Sequence, residues 1–294
     1  MSQESPKVSV GMPVYNGERH LRNAVQSILG QTFRDIELII SDNASTDRTE
    51  AICREYASKD PRVRYYRNPK NLGAPENINS VFRRATGRYF KWAAANDECD
   101  PRFIEACVQI LDERPNTVLA YPRTRLIRGN SGQTEDYEDR LNLTQERPCE
   151  RFRALIERVR LCNALYGLIR ATVLGRTGLV GKYIDADRVL LGELTLHGRF
   201  AEVPEFMFFR RMDAASATTM RSKTEIVRTL DPESRSLLFF QQWKLYRGYV
   251  AAVFRAPLPA RERACLLRFL RWTAWQDRGY FAQDLREAGR AWSS

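Results

Sequence analysis

Two periods of apolar and polar positions alternate along the first 120 residues. Segments of strand length occupy 7–13 (KVSVGMP) and 36–41 (IELIIS), the second a continuous, largely apolar run. Between and after them, over 19–29 and 46–59, apolar residues recur every three to four positions. An unbroken run reads as a strand covered on both faces, and the longer period reads as an amphipathic helix. The alternation continues with strands over 63–67, 89–93 and 118–121 and helices over 74–85 and 101–113, with Gly87 as a stop signal. This order predicts an α/β fold with a mostly parallel sheet flanked by helices. Ligands of such sheets bind outside the carboxyl ends of the strands. The segments to watch are therefore 13–18, 42–47, 68–77 and 94–101.

The pattern weakens afterwards. Residues 122–150 are polar, with Gly129, Asn130, Ser131 and Gly132 in a row, and predict a mobile loop. Residues 151–179 read as helix and then extended chain, 185–198 as helix and 200–211 as strand. From about 222 the chain reads as helical, interrupted at Pro257 and Pro259. The domain expectation is one domain over 1–220, in two halves over 1–121 and 122–220, and a basic helical C-terminal extension over 221–294.

Composition narrows this picture. Of 294 residues, 43% are hydrophobic, enough for a sizeable core, and no apolar run reaches the length of a membrane span. Residues 1–7 are polar and lack a signal-peptide core, so the expectation is a cytoplasmic protein, at most at the inner face of the membrane. The six cysteines form no C-x-x-C pair and the chain has two histidines, which argues against a zinc cage and predicts reduced, buried thiols. Net charge is +11, with 14 Lys/Arg against 7 Asp/Glu in 221–294. A basic surface suits nucleic acid, anionic lipid or a phosphorylated substrate.

The predicted strand ends carry the chemistry. Neither G-x-G-x-x-G nor a P-loop follows any of them. Instead Pro13, Tyr15, Asn16 and Glu18 follow the first strand: Pro fixes the exit, Tyr offers a ring to a base, and Asn offers hydrogen bonds. Asp42 leaves the second strand, where it can accept from an imide N–H of a base, while Asn43, Ser45 and Asp47 suffice for the turn. Trp92 reads as core, and His197 as a helix-end residue.

The segments PVYNGERHL, SDNASTDRT, NLGAPENIN and ATGRYFKWAAANDECDP occur in that order. Together they resemble family 2 of the inverting glycosyltransferases, which have the GT-A fold, from Val8 to Ser216. The resemblance implies that Pro13, Tyr15 and Asn16 frame a nucleobase bound by Asp42. It implies that Asn71, Gly73 and Asn77 line the ribose and diphosphate. In that family a D-x-D motif holds Mg²⁺ or Mn²⁺ on the diphosphate; here Ala94 and Asn96 stand at its acidic positions, leaving Asn96 and Asp97 as metal ligands. The catalytic base, which takes the acceptor hydroxyl's proton, falls on Asp187, with Asp185 in reserve. A His that often follows the next strand is missing. Arg210 and Arg211 then grip the diphosphate, with Asp213 as a substitute ligand, and the site relies less on metal. Asn163, Tyr166 and Arg170 fall where the acceptor pocket forms.

The expected activity is transfer of a sugar, with inversion, from a nucleoside diphosphate sugar to a saccharide or glycolipid acceptor. A nucleotidyltransferase would open with a Gly-rich basic loop, which 13–18 is not. A basic nucleic-acid-binding protein is the non-enzymatic rival, but no such motif occurs and none of that partner is expected. A catalytically degenerate nucleotide-binding protein is the third reading. In the tail, Trp272, Trp275, Tyr280 and Phe281 alternate with arginines. The pattern reads as helices packed on the domain or on a second copy, with peripheral membrane contact as the alternative.

Overall fold

The computed structural model describes residues 5–129, 132–212, 223–233 and 239–292; Asp213 lies outside them. Strands β1 (Val8–Val14), β2 (Ile36–Asp42), β3 (Val63–Arg67) and β4 (Tyr89–Trp92) alternate with helices α1 (Leu21–Leu29), α2 (Thr49–Lys59) and α3 (Ala74–Arg83). Then come β5 (Glu98–Cys99), α4 (Phe103–Glu113), β6 (Thr117–Arg128), β7 (Gln133–Tyr137) and α5 (Pro148–Arg158). A 3-10 turn (Asn163–Tyr166), β8 (Leu168–Arg170), α6 (Ala171–Leu174), α7 (Ala186–His197) and β9 (Arg199–Met212) follow. The C-terminal helices are α8 (Lys223–Leu230), α9 (Gln241–Arg255), α10 (Ala260–Gln276) and α11 (Arg278–Trp292).

The sheet runs β3-β2-β1-β4-β8-β6-β9-β5, with β7 on β6. The β3-β2-β1-β4 part is parallel, as the continuous apolar runs require, and every residue of β2 is buried. β8 enters antiparallel between β4 and β6, and β6 pairs parallel with β9, so the whole sheet is mixed. On α1, Leu21, Ala24, Val25 and Ile28 are buried at helical spacing against it.

Two expectations are corrected. The segment 122–150 is not a loop throughout. It continues β6 to Arg128, turns through Gly129 and Gly132, returns as β7 and enters α5. β7 is exposed over QTED, so no apolar alternation marks it. The cysteines are not all thiols either: Cys149 of α5 and Cys265 of α10 form a disulfide, while Cys53, Cys99, Cys107 and Cys162 are free and buried. Alkylation of the denatured protein without reductant should find four thiols, and six after reduction. Finding six in both would remove the bond. Replacing both half-cystines by Ser should destabilise the fold by about 2–4 kcal/mol.

The C-terminal helices share a core with the segment before them. Phe152, Val189 and Leu196 pack with Leu245, Tyr249, Val253, Leu266 and Phe269 in one buried cluster.

Candidate functional site

The carboxyl ends of β1, β2 and β3 are joined by two hydrogen-bonded meshes. In the first, the N–H groups of Asn16, Gly17 and Glu18 donate to Ser45 Oγ (2.9 Å), Thr49 Oγ1 (2.9 Å) and Asp47 Oδ2 (3.1 Å). In return, Thr46 N–H donates to Asn16 Oδ1 and Arg48 N–H to Glu18 Oε2, both at 2.9 Å. Asn16 and Ala44 take left-handed backbone here (φ 49° and 63°), a conformation held by these surroundings. Within this lacing Tyr15 stays 50% exposed.

The second mesh is amide-rich. Asn43 Nδ2 donates to Asn71 Oδ1 (2.7 Å), and Asn68 Nδ2 donates to Asn43 Oδ1 and Asn77 Oδ1 (3.0 Å each). Ser41 Oγ also donates to Asn77 Oδ1 (2.7 Å), so Asn77 is a buried brace. Gly73 has φ 84°, and a Cβ there would meet the Leu230 carbonyl oxygen at the end of α8 at 2.2 Å. Only glycine fits both the backbone and that approach.

Asp42 is fully buried. Its Oδ1 accepts from Ser45 N–H (2.8 Å), its Oδ2 from the Tyr65 hydroxyl (2.9 Å), and Arg67 Nε lies 3.5 Å away. Here Asp42 ties the β2 exit together. Arg67, which sequence reasoning missed, also donates to the Ser45 carbonyl (2.9 Å) and pairs with Glu50. It sits at the end of a strand read only for its apolar pattern.

Beyond β4, β5 pairs with β9 at Phe208 and Phe209, which brings Asp97 to Arg210 and Arg211. Arg211 N–H donates to Asp97 Oδ1 (2.8 Å), and its guanidinium donates to Glu98 (3.1 Å) and the Asn96 carbonyl (3.4 Å). Arg210 donates to Asn163 Oδ1 (2.5 Å) and the Leu161 carbonyl (2.6 Å). Asn163 Nδ2 in turn donates to Asp139 Oδ2 (3.2 Å), a buried carboxylate of the segment read as a loop. Lys91, also missed, is fully buried. Its ammonium donates to the Tyr166 carbonyl (2.5 Å) and lies 4.1 Å from the Phe103 ring centre.

Burial pushes the carboxyls of Asp97 and Asp139 up to about 6, although nearby cations oppose it. The folded state therefore holds these protons more tightly than the unfolded chain. Their contribution to stability falls as pH rises from about 4 to about 6 and is flat above. Asp139→Asn should gain on the wild type by on the order of 1–3 kcal/mol between pH 4.5 and 7.5. A melting-temperature difference independent of pH would refute this.

The metal expectation meets a poor donor set. Among the described residues no group of three His, Cys, Asp or Glu side chains could hold an ion. Asp97 accepts from Arg211 and lies in the field of Arg210, Arg211 and Lys91. Asn96 gives its backbone carbonyl to Arg211. Asn96 and Asp97 do not fit a protein-built metal site.

Tyr166 links this cluster to α7. It stacks on Phe208, and burial raises its hydroxyl to about 12, with Asp97 and Asp187 raising it further and Arg210 opposing. Asp187 lies in the first turn of α7, and its charge also helps hold the Cys162 thiol well above the usual range, after burial. Asp185 precedes the helix in a left-handed conformation, φ 62°. With Arg188 it borders a separate cavity of about 430 Å³ under Tyr246, Trp272 and Tyr280.

One expected acceptor residue is misplaced. Arg170 pairs with Tyr89 at the amino end of β4, the opposite edge of the sheet. Its guanidinium donates to the Thr117, Leu111 and Arg114 carbonyls, closing the end of α4. The antiparallel direction of β8 leaves Tyr166 at the site and carries Arg170 away.

The family model described as Glycosyl transferase family 2 matches residues 9–164, which carry both meshes, Asp97 and Asn163. The chain belongs to glycosyl transferase family 2. An uncharacterized glycosyltransferase of Rickettsia prowazekii is 36% identical over 124 residues, 42% of this chain and 38% of its own. Chondroitin synthase from Escherichia coli is 31% identical over 158 residues, 52% of this chain and 23% of its own. The matches thus span well under two thirds of these relatives. The fold is similar to that of S. aureus TarS 1–349 in complex with UDP-GlcNAc, with a TM-score of 0.62 and 16% identity over 90% of this chain and 71% of that one. The GT-A-like α/β architecture expected of family 2 is therefore present, with a sheet more mixed than its first 120 residues suggest.

Proposed function

We propose that the protein transfers a sugar from a nucleoside diphosphate donor to a hydroxyl acceptor, with inversion, in the synthesis of a cell-envelope polysaccharide or glycolipid. The observation that carries this reading is the seat of Tyr166: its ring stacks on Phe208 of β9, the strand whose Arg211 N–H binds Asp97, and its turn packs against α7, which carries Asp187 in its first turn. Tyr15 stacks on the base, and Asn16, Asp42, Arg67 and Asn71 shape its loop. Arg210 and Arg211 offset the charge of the diphosphate leaving group, as guanidinium groups do for phosphates. Asp187 takes the proton of the attacking hydroxyl, and Tyr166 and Asn163 border the acceptor. The chondroitin synthase relative supports a polysaccharide product.

A thermal-shift screen against UDP, GDP, dTDP and CDP, with Mn²⁺ or with chelator, tests the donor site. One nucleotide should raise the melting temperature, and most of the shift should survive chelation but not Arg211→Ala. No shift with any nucleotide would sink the reading. A shift that vanished with chelator and ignored Arg211→Ala would overturn the arginine assignment.

A further inference from the structure

The C-terminal helices present two faces. Leu245, Tyr249 and Val253 of α9 and Leu266, Phe269 and Leu270 of α10 are buried in the shared core, as packing on the domain requires. The other face is neither buried nor acidic. On α9, Trp243, Arg247, Val250 and Phe254 fall on one outward stripe at helical spacing. On α10, Arg268, Arg271, Trp272 and Trp275 form a second stripe, extended by Arg278. Trp243, Trp272 and Trp275 are 47%, 58% and 66% exposed.

These stripes meet in an open groove of about 700 Å³ whose lining contains three tryptophans and three arginines and no acidic residue. The Arg278 guanidinium lies 4.9 Å from the Trp275 ring centre. Among the described residues, Arg268, Arg271 and Arg278 form no ion pair with a carboxylate. Exposed tryptophan beside unpaired arginine matches a bilayer interface, where the ring sits at headgroup depth and the guanidinium meets lipid phosphate. No described helix is long and apolar enough to cross a membrane, so the contact is peripheral. A two-fold dimer through this face would set three arginines against three arginines with no carboxylate between them.

We infer that the α9–α11 face docks the protein on an anionic lipid bilayer. Trp243, Trp272 and Trp275 enter the interface, and Arg268, Arg271 and Arg278 engage the phosphates. Trp272 also borders the cavity that holds Asp185 and Arg188 at the start of α7. The docked face therefore adjoins the start of α7, two residues from Asp187, which suits an acceptor carried on a lipid. That last clause rests on the transferase reading; the docking itself does not.

Vesicle flotation of the full chain tests the docking without donor or acceptor. The protein should float with phosphatidylcholine vesicles containing phosphatidylglycerol, stay down with phosphatidylcholine alone, and be released by high salt. Arg268→Gln/Arg271→Gln/Arg278→Gln should weaken partitioning on the order of 100-fold, and Trp272→Ala/Trp275→Ala should weaken it as well. Quenching of wild-type tryptophan emission by brominated phosphatidylglycerol gives a reading that no misfolded variant can confuse. Absence of flotation at low salt, flotation unchanged in both variants, or emission untouched by bromolipid would each overturn the inference. So would a concentration-dependent dimer abolished by the tryptophan variant. Flotation without any nucleotide-induced thermal shift would sink the transferase reading and leave the docking standing.

Discussion

Asp187→Asn should lower kcat about 10³-fold while leaving the nucleotide-induced thermal shift in place. General-base catalysis contributes roughly 10²- to 10⁴-fold, and amide for carboxylate removes the proton acceptor at almost constant shape. Asp187 lies in the first turn of α7, which packs against the turn that carries Tyr166. Asp185→Asn is the matched control. Asp185 faces the cavity under the C-terminal helices and has left-handed backbone, which Asn tolerates. Its kcat should change only a few-fold. A larger loss at Asp185 than at Asp187 would exchange their roles, and no loss at either would remove the base from α7 altogether.

The second large effect is on stability. Glu193 of α7 is 1% exposed, and its two carboxylate oxygens accept from Arg255 of α9 at 2.6 and 2.7 Å. Gly178 N–H donates to the same carboxylate at 3.0 Å. The partners are unequal, since the Arg255 side chain is 40% exposed and can be hydrated, whereas that of Glu193 is 2% exposed and cannot. Arg255→Leu strands a buried carboxylate and should cost about 3–5 kcal/mol. This corresponds to a drop in melting temperature on the order of 10 °C for a domain of this size. Glu193→Gln should cost less, and adding it to Arg255→Leu should recover part of the loss. Additive losses in the double variant would show that the two side chains act independently.

The first 121 residues are legible because β1, β2 and β4 are buried on both faces and leave largely apolar runs such as IELIIS. The site loops were legible in part because strand exits in such a fold are known in advance. What escaped had no periodic signal. β7 is exposed and polar, held to β6 by its ladder and by the Arg125–Asp136 and Arg128–Glu135 ion pairs, none of which leaves an apolar alternation. Asp139 sat inside that polar stretch and gained its place only when the hairpin closed. Lys91 reads as an ordinary charge in a strand, and only the fold turns its ammonium inward to the Tyr166 carbonyl. Arg170 was misread because spacing along the chain says nothing of strand direction. The Cys149–Cys265 pairing spans 116 residues and leaves no local trace.

That bond has a topological result. Everything from Cys149 to Cys265 lies in one covalent ring, including α7 with Asp187, the β9 ladder, α8 against Gly73, and α9 with Arg255. A protease that cuts once anywhere inside the ring opens it without releasing a fragment. The nicked protein runs as one band on a non-reducing gel and as two after reduction. The segment bearing the candidate base thus stays attached to its neighbours through damage that would separate it in an unbridged chain.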